Sequence, residues 1–164
     1  AQRLGADHVL DPAAGDVSER LSALLTTESA YEGADLLFEL SGNPRALDLA
    51  IATAGYDGRI LIGSWYGNKE AKLSLGGQFH RSHVRLISSQ VSHIAPRWRG
   101  RFDQKRRLNI AWSMLAALDP SRLITHHFPI DQAHEAYRLL DQEPAAAIQI
   151  LFTYAEDDVR GGYS

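Results

Sequence analysis

Ala34-Asp35-Leu36-Leu37-Phe38-Glu39-Leu40-Ser41-Gly42-Asn43-Pro44 reads as a buried strand that runs into a polar, glycine-bearing turn and then a proline-started helix. Ala34 to Leu40 is apolar but too short for a helix that packs on both sides, which suits a central parallel strand. Asn43 can cap the free amides of the next helix, and Pro44 at the first helical position loses nothing by lacking its own amide. Leu47, Ala50, Ile51 and Ala54 supply that helix's buried stripe. Gly55 and Asp57-Gly58 then turn the chain into a second strand, Arg59 to Ser64, so that one strand, helix, strand unit spans Asp35 to Ser64. Its two strands should be parallel neighbours. In open sheets of this kind the ligand sits beyond the carboxyl ends of the strands.

Working outward, a third strand is expected over Val84 to Gln90, and its end would join the same crevice. Upstream, Asp7 to Asp11 allows a brief strand around Val9-Leu10, and Asp16-x-x-Glu19 resembles a capping box for a helix over about 17–27. Ala1 to Leu4 looks like the last turn of a helix closed by Gly5, which suggests a missing N-terminal portion. Residues 29–33 form a loop, and the glycine-punctuated 65–77 stretch is irregular. Downstream, Pro96 to Arg107 is strongly basic. Leu108, Trp112, Leu115 and Leu118 mark a helix that Asp119-Pro120 ends. Asp131 caps a last amphipathic helix with Ala133, Ala136, Tyr137 and Leu140 inward, and Ile148 to Thr153 forms a final strand. The tail 155–164 is acidic, then glycine-rich, and expected to fray.

Length and composition narrow the function. The 164 residues can bury a real core, and the absence of cysteine excludes disulfides, thiol nucleophiles and cysteine-ligated zinc. No apolar run approaches the ~18 residues of a membrane helix, and the start lacks signal-peptide features, so a cytoplasmic setting without membrane is expected. The net charge of -3 does not suggest a nucleic-acid partner for the whole chain.

Chemistry is expected first at Ser41-Gly42-Asn43 and Ile62-Gly63-Ser64, where glycine lets a flat ligand approach the backbone and small hydroxyls add hydrogen bonds. Either glycine alone is as readily a plain tight turn; two adjacent ends favour a ligand. No Gly-x-Gly-x-x-Gly turn or P-loop lysine is present. The histidines, including the pairs His80/His83 and His126/His127, lack zinc-ligand spacing and suit surface or packing roles. A hydrolase triad lacks its Gly-x-Ser-x-Gly elbow. Arg97-Trp98-Arg99-Gly100-Arg101-Phe102, followed by Lys105-Arg106-Arg107, interleaves cations and aromatics. A solvated loop is its first reading, a phosphate or subunit contact the second, and a nucleic-acid site the third.

Several segments, in order, resemble the C-terminal half of medium-chain, zinc-type alcohol dehydrogenases. They are Leu4-Gly5-Ala6-Asp7-His8-Val9-Leu10-Asp11, Gly33 to Gly42, Gly58-Arg59-Ile60-Leu61-Ile62-Gly63, and Leu123 to Ile130 running into Ala133-His134-Glu135-Ala136-Tyr137. Phe79-His80-Arg81 to Ser88-Ser89-Gln90-Val91, with the Arg/Trp-rich loop, is similar to a subgroup that includes bacteriochlorophyllide-dehydrogenase-like members. The resemblance implies an α/β fold over 1–154, a partial Rossmann-type doubly wound parallel sheet lacking its first two strands. It implies NAD or NADP as cofactor, with Leu40, Ser41, Gly42, Ile62, Gly63, Ser64, Ser89, Gln90 and Val91 facing the nicotinamide. The glycine motif, the residue that separates NAD from NADP, the zinc ligands and the proton relay would all precede Ala1, leaving no metal site and no catalytic residue in this chain. A homodimer paired through strand 84–90 is implied as well. Where many relatives carry Gly-Lys before the last strand, this chain has Ala147-Ile148. The rival reading is a non-enzymic interaction module that uses the Arg-rich loop 97–107.

Overall fold

A computed structural model of the chain describes residues 1–12, 14–26 and 32–155, arranged as two compact units, 1–93 and 94–164. Thr27, residues 29–31 of the expected loop and residues 156–164 of the expected tail lie outside the described residues.

The first unit carries α1 (Val17–Leu25), β1 (Ala34–Glu39), α2 (Pro44–Thr53), β2 (Ala54–Ile62) and β3 (Arg85–Ser88). The three strands form one parallel sheet in the order β1-β2-β3. Asn43 starts α2 as its sequence requires, its Oδ1 accepting the Arg45 amide at 3.0 Å with Pro44 following. Leu47, Ala50 and Ile51 of α2 pack with Ala54, Ile60 and Val84 into the unit's core. Ala54 already pairs with Ala34, and the chain bulges before Arg59 pairs with Leu36. The Gly55-to-Gly58 turn, with Asp57 at φ 56°, is therefore set within β2. Asp57 accepts a hydrogen bond at 2.8 Å from Nε of Arg85 on β3, whose guanidinium holds the carboxyl below its usual range.

Two expectations fail here. Val9-Leu10 forms no strand, because an extended segment needs a hydrogen-bonded neighbour and it pairs with none of the described strands. Asp16 precedes α1 but makes no side-chain cap bond, so the capping box is a sequence likeness only. At the start, Gln2–Leu4 makes one 3-10 turn closed by Gly5 at φ 96°.

The second unit carries α3 (Gln104–Leu118), β4 (Ile124–Pro129), α4 (Ala133–Gln142) and β5 (Gln149–Thr153), with β4 and β5 parallel. α3 begins earlier than Leu108 because the Asp103 carboxylate accepts the Arg106 amide at 2.6 Å, which places Lys105 to Arg107 within the helix. Its apolar residues Leu108, Trp112, Leu115 and Leu118 are exposed. β4 was not anticipated, although Ile124-Thr125-His126-His127-Phe128 has the β-branched and aromatic content and the alternating burial of a strand. α4 differs in two details. Its N-cap is Gln132, with no side-chain cap bond, because Asp131 is taken up in a preceding 3-10 turn. Of the inward set, Ala136 is buried but Tyr137 and Leu140 are exposed; together with Ala136, Ile148, Gln149, Ile150 and Phe152 they line an open groove instead.

Candidate functional site

The parallel order β1-β2-β3 brings three carboxyl ends to one edge. Glu39 pairs with Ile62, and Ile62 with Ser88, so Leu40, Gly63 and Ser89 leave their strands side by side. The link continues past the ladder: the Gly63 amide donates to the Glu39 carbonyl at 3.0 Å and the Ser89 amide to the Ile62 carbonyl at 2.8 Å. The nine residues expected to face a nicotinamide are thus adjacent triplets on one sheet edge. Gln90 and Val91 lie beyond β3, which ends at Ser88, two residues short of its expected span.

The edge is open and partly apolar, with Leu40 71 %, Val91 78 % and Trp65 90 % exposed. Two glycines keep it low. Gly42 has φ +63°, and a Cβ there would meet the Trp65 carbonyl oxygen at 3.0 Å, so a side chain would be strained twice over. At Gly63 a Cβ would come within 2.8 Å of Leu40 Cδ2 and would displace that side chain from the ledge. Both glycines thus allow the chain to approach itself closely at this edge, Trp65 over Gly42 and Leu40 over Gly63.

Beneath the edge lies a group that sequence reasoning passed over. Glu39, the last residue of β1, is 4 % exposed, and a carboxylate so placed must be fully hydrogen-bonded to stay charged. It is: Oε1 accepts from the Ser41 amide at 2.7 Å, Ser41 Oγ at 2.5 Å and the Gly42 amide at 3.1 Å. Oε2 accepts from the Tyr66 hydroxyl at 2.8 Å and from Ser64 Oγ at short range. Burial alone would raise its pKa, but the hydrogen bonds from Ser41, Ser64 and Tyr66 together outweigh burial and hold it down at about 2. Burial, joined by the hydrogen bond to Glu39 and its charge, pushes the Tyr66 phenol up to about 12, so it remains a donor. Lys69 Nζ caps the arrangement by donating to the Gly42 carbonyl at 3.1 Å. The missed signal was the carboxylate at the last position of β1, which, unlike the exposed Asp35 of the same strand, is buried and costly unless donors converge on it.

Among the described residues no group of three or more His, Asp or Glu side chains is placed to hold a metal ion. They do not fit a zinc site. Within the same residues, no helix is long and apolar enough to cross a membrane.

Residues 1–104 match the family model described as zinc-binding dehydrogenase. The chain belongs to that family. Among zinc-binding dehydrogenases and their relatives, it is similar to D-guloside 3-dehydrogenase from Escherichia coli (strain K12), 27% identical over 161 residues, covering 94% of this chain and 44% of the relative. The fold matches that of an alcohol dehydrogenase from Thermotoga maritima with TM-score 0.75 at 20% identity, covering 94% of this chain and 39% of that one. It also matches a short chain alcohol dehydrogenase from E. coli CFT073, complexed with cofactor NADH, with TM-score 0.71 at 17% identity, covering 93% and 40%. The α/β architecture with its parallel sheet is thus the Rossmann-like one of these dehydrogenases. The chain spans less than half the length of the relatives it matches.

Proposed function

We propose that this zinc-binding dehydrogenase chain supplies one wall of the nicotinamide pocket in an NAD(P)-dependent oxidoreductase that passes hydride between the cofactor and an alcohol or carbonyl substrate. The observation that carries this reading is the meeting of Leu40-Ser41-Gly42, Ile62-Gly63-Ser64 and Ser89-Gln90-Val91 at one carboxyl edge. Leu40 and Val91 offer apolar contact to the ring faces, and Ser64 and Ser89 add small polar groups beside it. The cofactor brings the hydride chemistry, and these residues bind and orient its ring.

The reading makes the isolated chain a weak binder. With no Gly-x-Gly-x-x-Gly turn in its sequence, it lacks the amide cradle that holds the pyrophosphate of a dinucleotide. Titration calorimetry of the chain with NADH and with NADPH should show no micromolar binding, and assays with simple alcohols should show no turnover. Micromolar affinity for either cofactor would overturn this division of labour.

The same reading assigns the outer edge of β3 to a second copy of the chain. β3 ends the described sheet and pairs only with β2, so its outer backbone groups are available for a strand. Multi-angle light scattering should report a dimer; a monomer at the concentrations used would contradict the assignment.

A further inference from the structure

The carboxylate beneath the sheet edge has a property that ring binding alone does not use: it is a buried charge with no counter-charge on it. Every partner of the Glu39 side chain is neutral, namely the Ser41 and Gly42 amides and the Ser41, Ser64 and Tyr66 hydroxyls. Among the described residues it forms no ion pair. Neutral donors stabilise an ionised carboxylate without cancelling its net charge. With its carboxyl held at about 2, the group is ionised throughout the neutral range.

Its donors are the edge itself. Ser41, Gly42 and Ser64 belong to the nine residues assigned to the nicotinamide, and each bonds the carboxylate directly, at 2.5 and 2.7 Å for Ser41 and 3.1 Å for Gly42. One layer of residues therefore separates the charge from a ring seated on them. That layer is protein rather than water, so the charge is less screened than an exposed one. A cation stands at the same edge, Lys69, whose Nζ donates to the Gly42 carbonyl at 3.1 Å. Lys69 is exposed, so water and salt screen it more than they screen buried Glu39. The cofactor gives this charge something to act on: the oxidised nicotinamide ring is a positively charged pyridinium, whereas the reduced dihydropyridine ring is neutral.

We infer, on the basis of the nicotinamide reading above, that Glu39 is a specificity-determining residue whose buried carboxylate favours the oxidised, positively charged ring over the reduced, neutral one. It acts through its field, across Ser41, Gly42 and Ser64, and not by contact with the ring. A purely structural Glu39, which only pins Ser64 and Tyr66 to the end of β1, makes a different prediction. Loosening that network would weaken binding of both ring forms alike, because a displaced edge fits neither, whereas loss of the charge alone weakens only the cation.

Amide-resolved NMR titrations of the full chain with oxidised and with reduced nicotinamide mononucleotide test this, since the two probes share ribose and phosphate and differ in the charge of the ring. The parent should bind the oxidised form at least ~10-fold more tightly. E39Q, close in shape but neutral, should bring the two affinities to within ~3-fold of each other. Y66F removes one donor and keeps the carboxylate, so it should retain the parent's ratio even if both affinities fall. Equal affinities in the parent, the parent's ratio in a folded E39Q, or a ratio lost in Y66F as in E39Q would each overturn the inference and leave the nicotinamide edge standing. If neither probe shifts the amides of Gly42, Gly63, Ser64 and Ser89, both fail together. Should E39Q prove unfolded by circular dichroism, the parent's own ratio decides.

Discussion

Replacing Glu39 by leucine should lower the stability of the first unit by about 3 kcal/mol, against about half that for glutamine. Leucine removes the acceptor of five hydrogen bonds at once: the Ser41 and Gly42 amides and the Ser41, Ser64 and Tyr66 hydroxyls. The hydroxyls can recover part of the loss through water because Ser41 is exposed and Ser64 and Tyr66 are half-buried, but the Gly42 amide lies in a buried residue and has no such recourse. Glutamine keeps one acceptor oxygen yet turns an amide group toward donors, so it preserves only part of the network. Urea titrations of the parent, E39L and E39Q would read these differences as shifts in midpoint at constant slope.

The pH dependence has a definite sign. The Glu39 carboxyl titrates at about 2 when folded, against 4.5 for the free group, so the folded state favours the ionised form. Its contribution is fully present above pH ~4.5 and is lost as the pH falls through about 2. The gap in stability between parent and E39L should therefore be constant from neutrality to about pH 5 and shrink progressively below that. A gap independent of pH down to 2, or one that widens, would contradict the hydrogen-bonded carboxylate.

Ile60→Ala should cost about 3 kcal/mol, within the ~2–5 kcal/mol spread for truncating a buried isoleucine. Ile60 is 0 % exposed and sits in the middle strand, paired with Leu37 on one side and Leu86 on the other. It also packs among Leu47, Ala50, Ile51, Ala54 and Val84, so the cavity left behind has no easy route to collapse. That is a large share of the ~5–15 kcal/mol that holds a typical domain together. The matched control is Ile110→Ala on exposed α3, expected to change stability by no more than ~0.5 kcal/mol. Comparable losses in the two variants, by thermal unfolding under identical conditions, would show that the first unit's core is not where the structure puts it.

The sequence was most legible where local and global signals agree. Asn43-Pro44 carries its helix start within two residues, so α2 follows from short-range chemistry; Ala34 to Glu39 does form a parallel strand, but the expected buried, central place does not hold, because β1 stands at one end of the described sheet and leaves Leu36 and Phe38 exposed. The adjacency of Leu40 and Gly63 was legible because a strand, helix, strand unit sets its two strands parallel and side by side, whereas Ser89 joins them through the β2–β3 pairing across a connection without an α-helix. Legibility failed where the outcome depends on a distant partner. Val9-Leu10 has strand composition without a neighbour, and Ile124 to Phe128 was passed over until β5 supplied the pairing that makes it a strand. Tyr137 and Leu140 share a helical stripe with Ala136, but burial ends at Ala136 because β5 leaves a groove rather than a cover. Glu39 was in plain sight, yet its role needs Ser64 and Tyr66, donors 25 and 27 residues away that only the folded turn brings to it.

The nicotinamide edge is tested most directly by amide-resolved NMR titration of the chain with nicotinamide mononucleotide, which carries the ring without the adenine half that the chain has no glycine-rich turn to hold. The account predicts weak, saturable shifts that begin at the amides of Gly42, Gly63, Ser64 and Ser89 and leave the second unit unmoved. Saturable shifts confined to other elements, or an unperturbed spectrum at millimolar ligand, would contradict it.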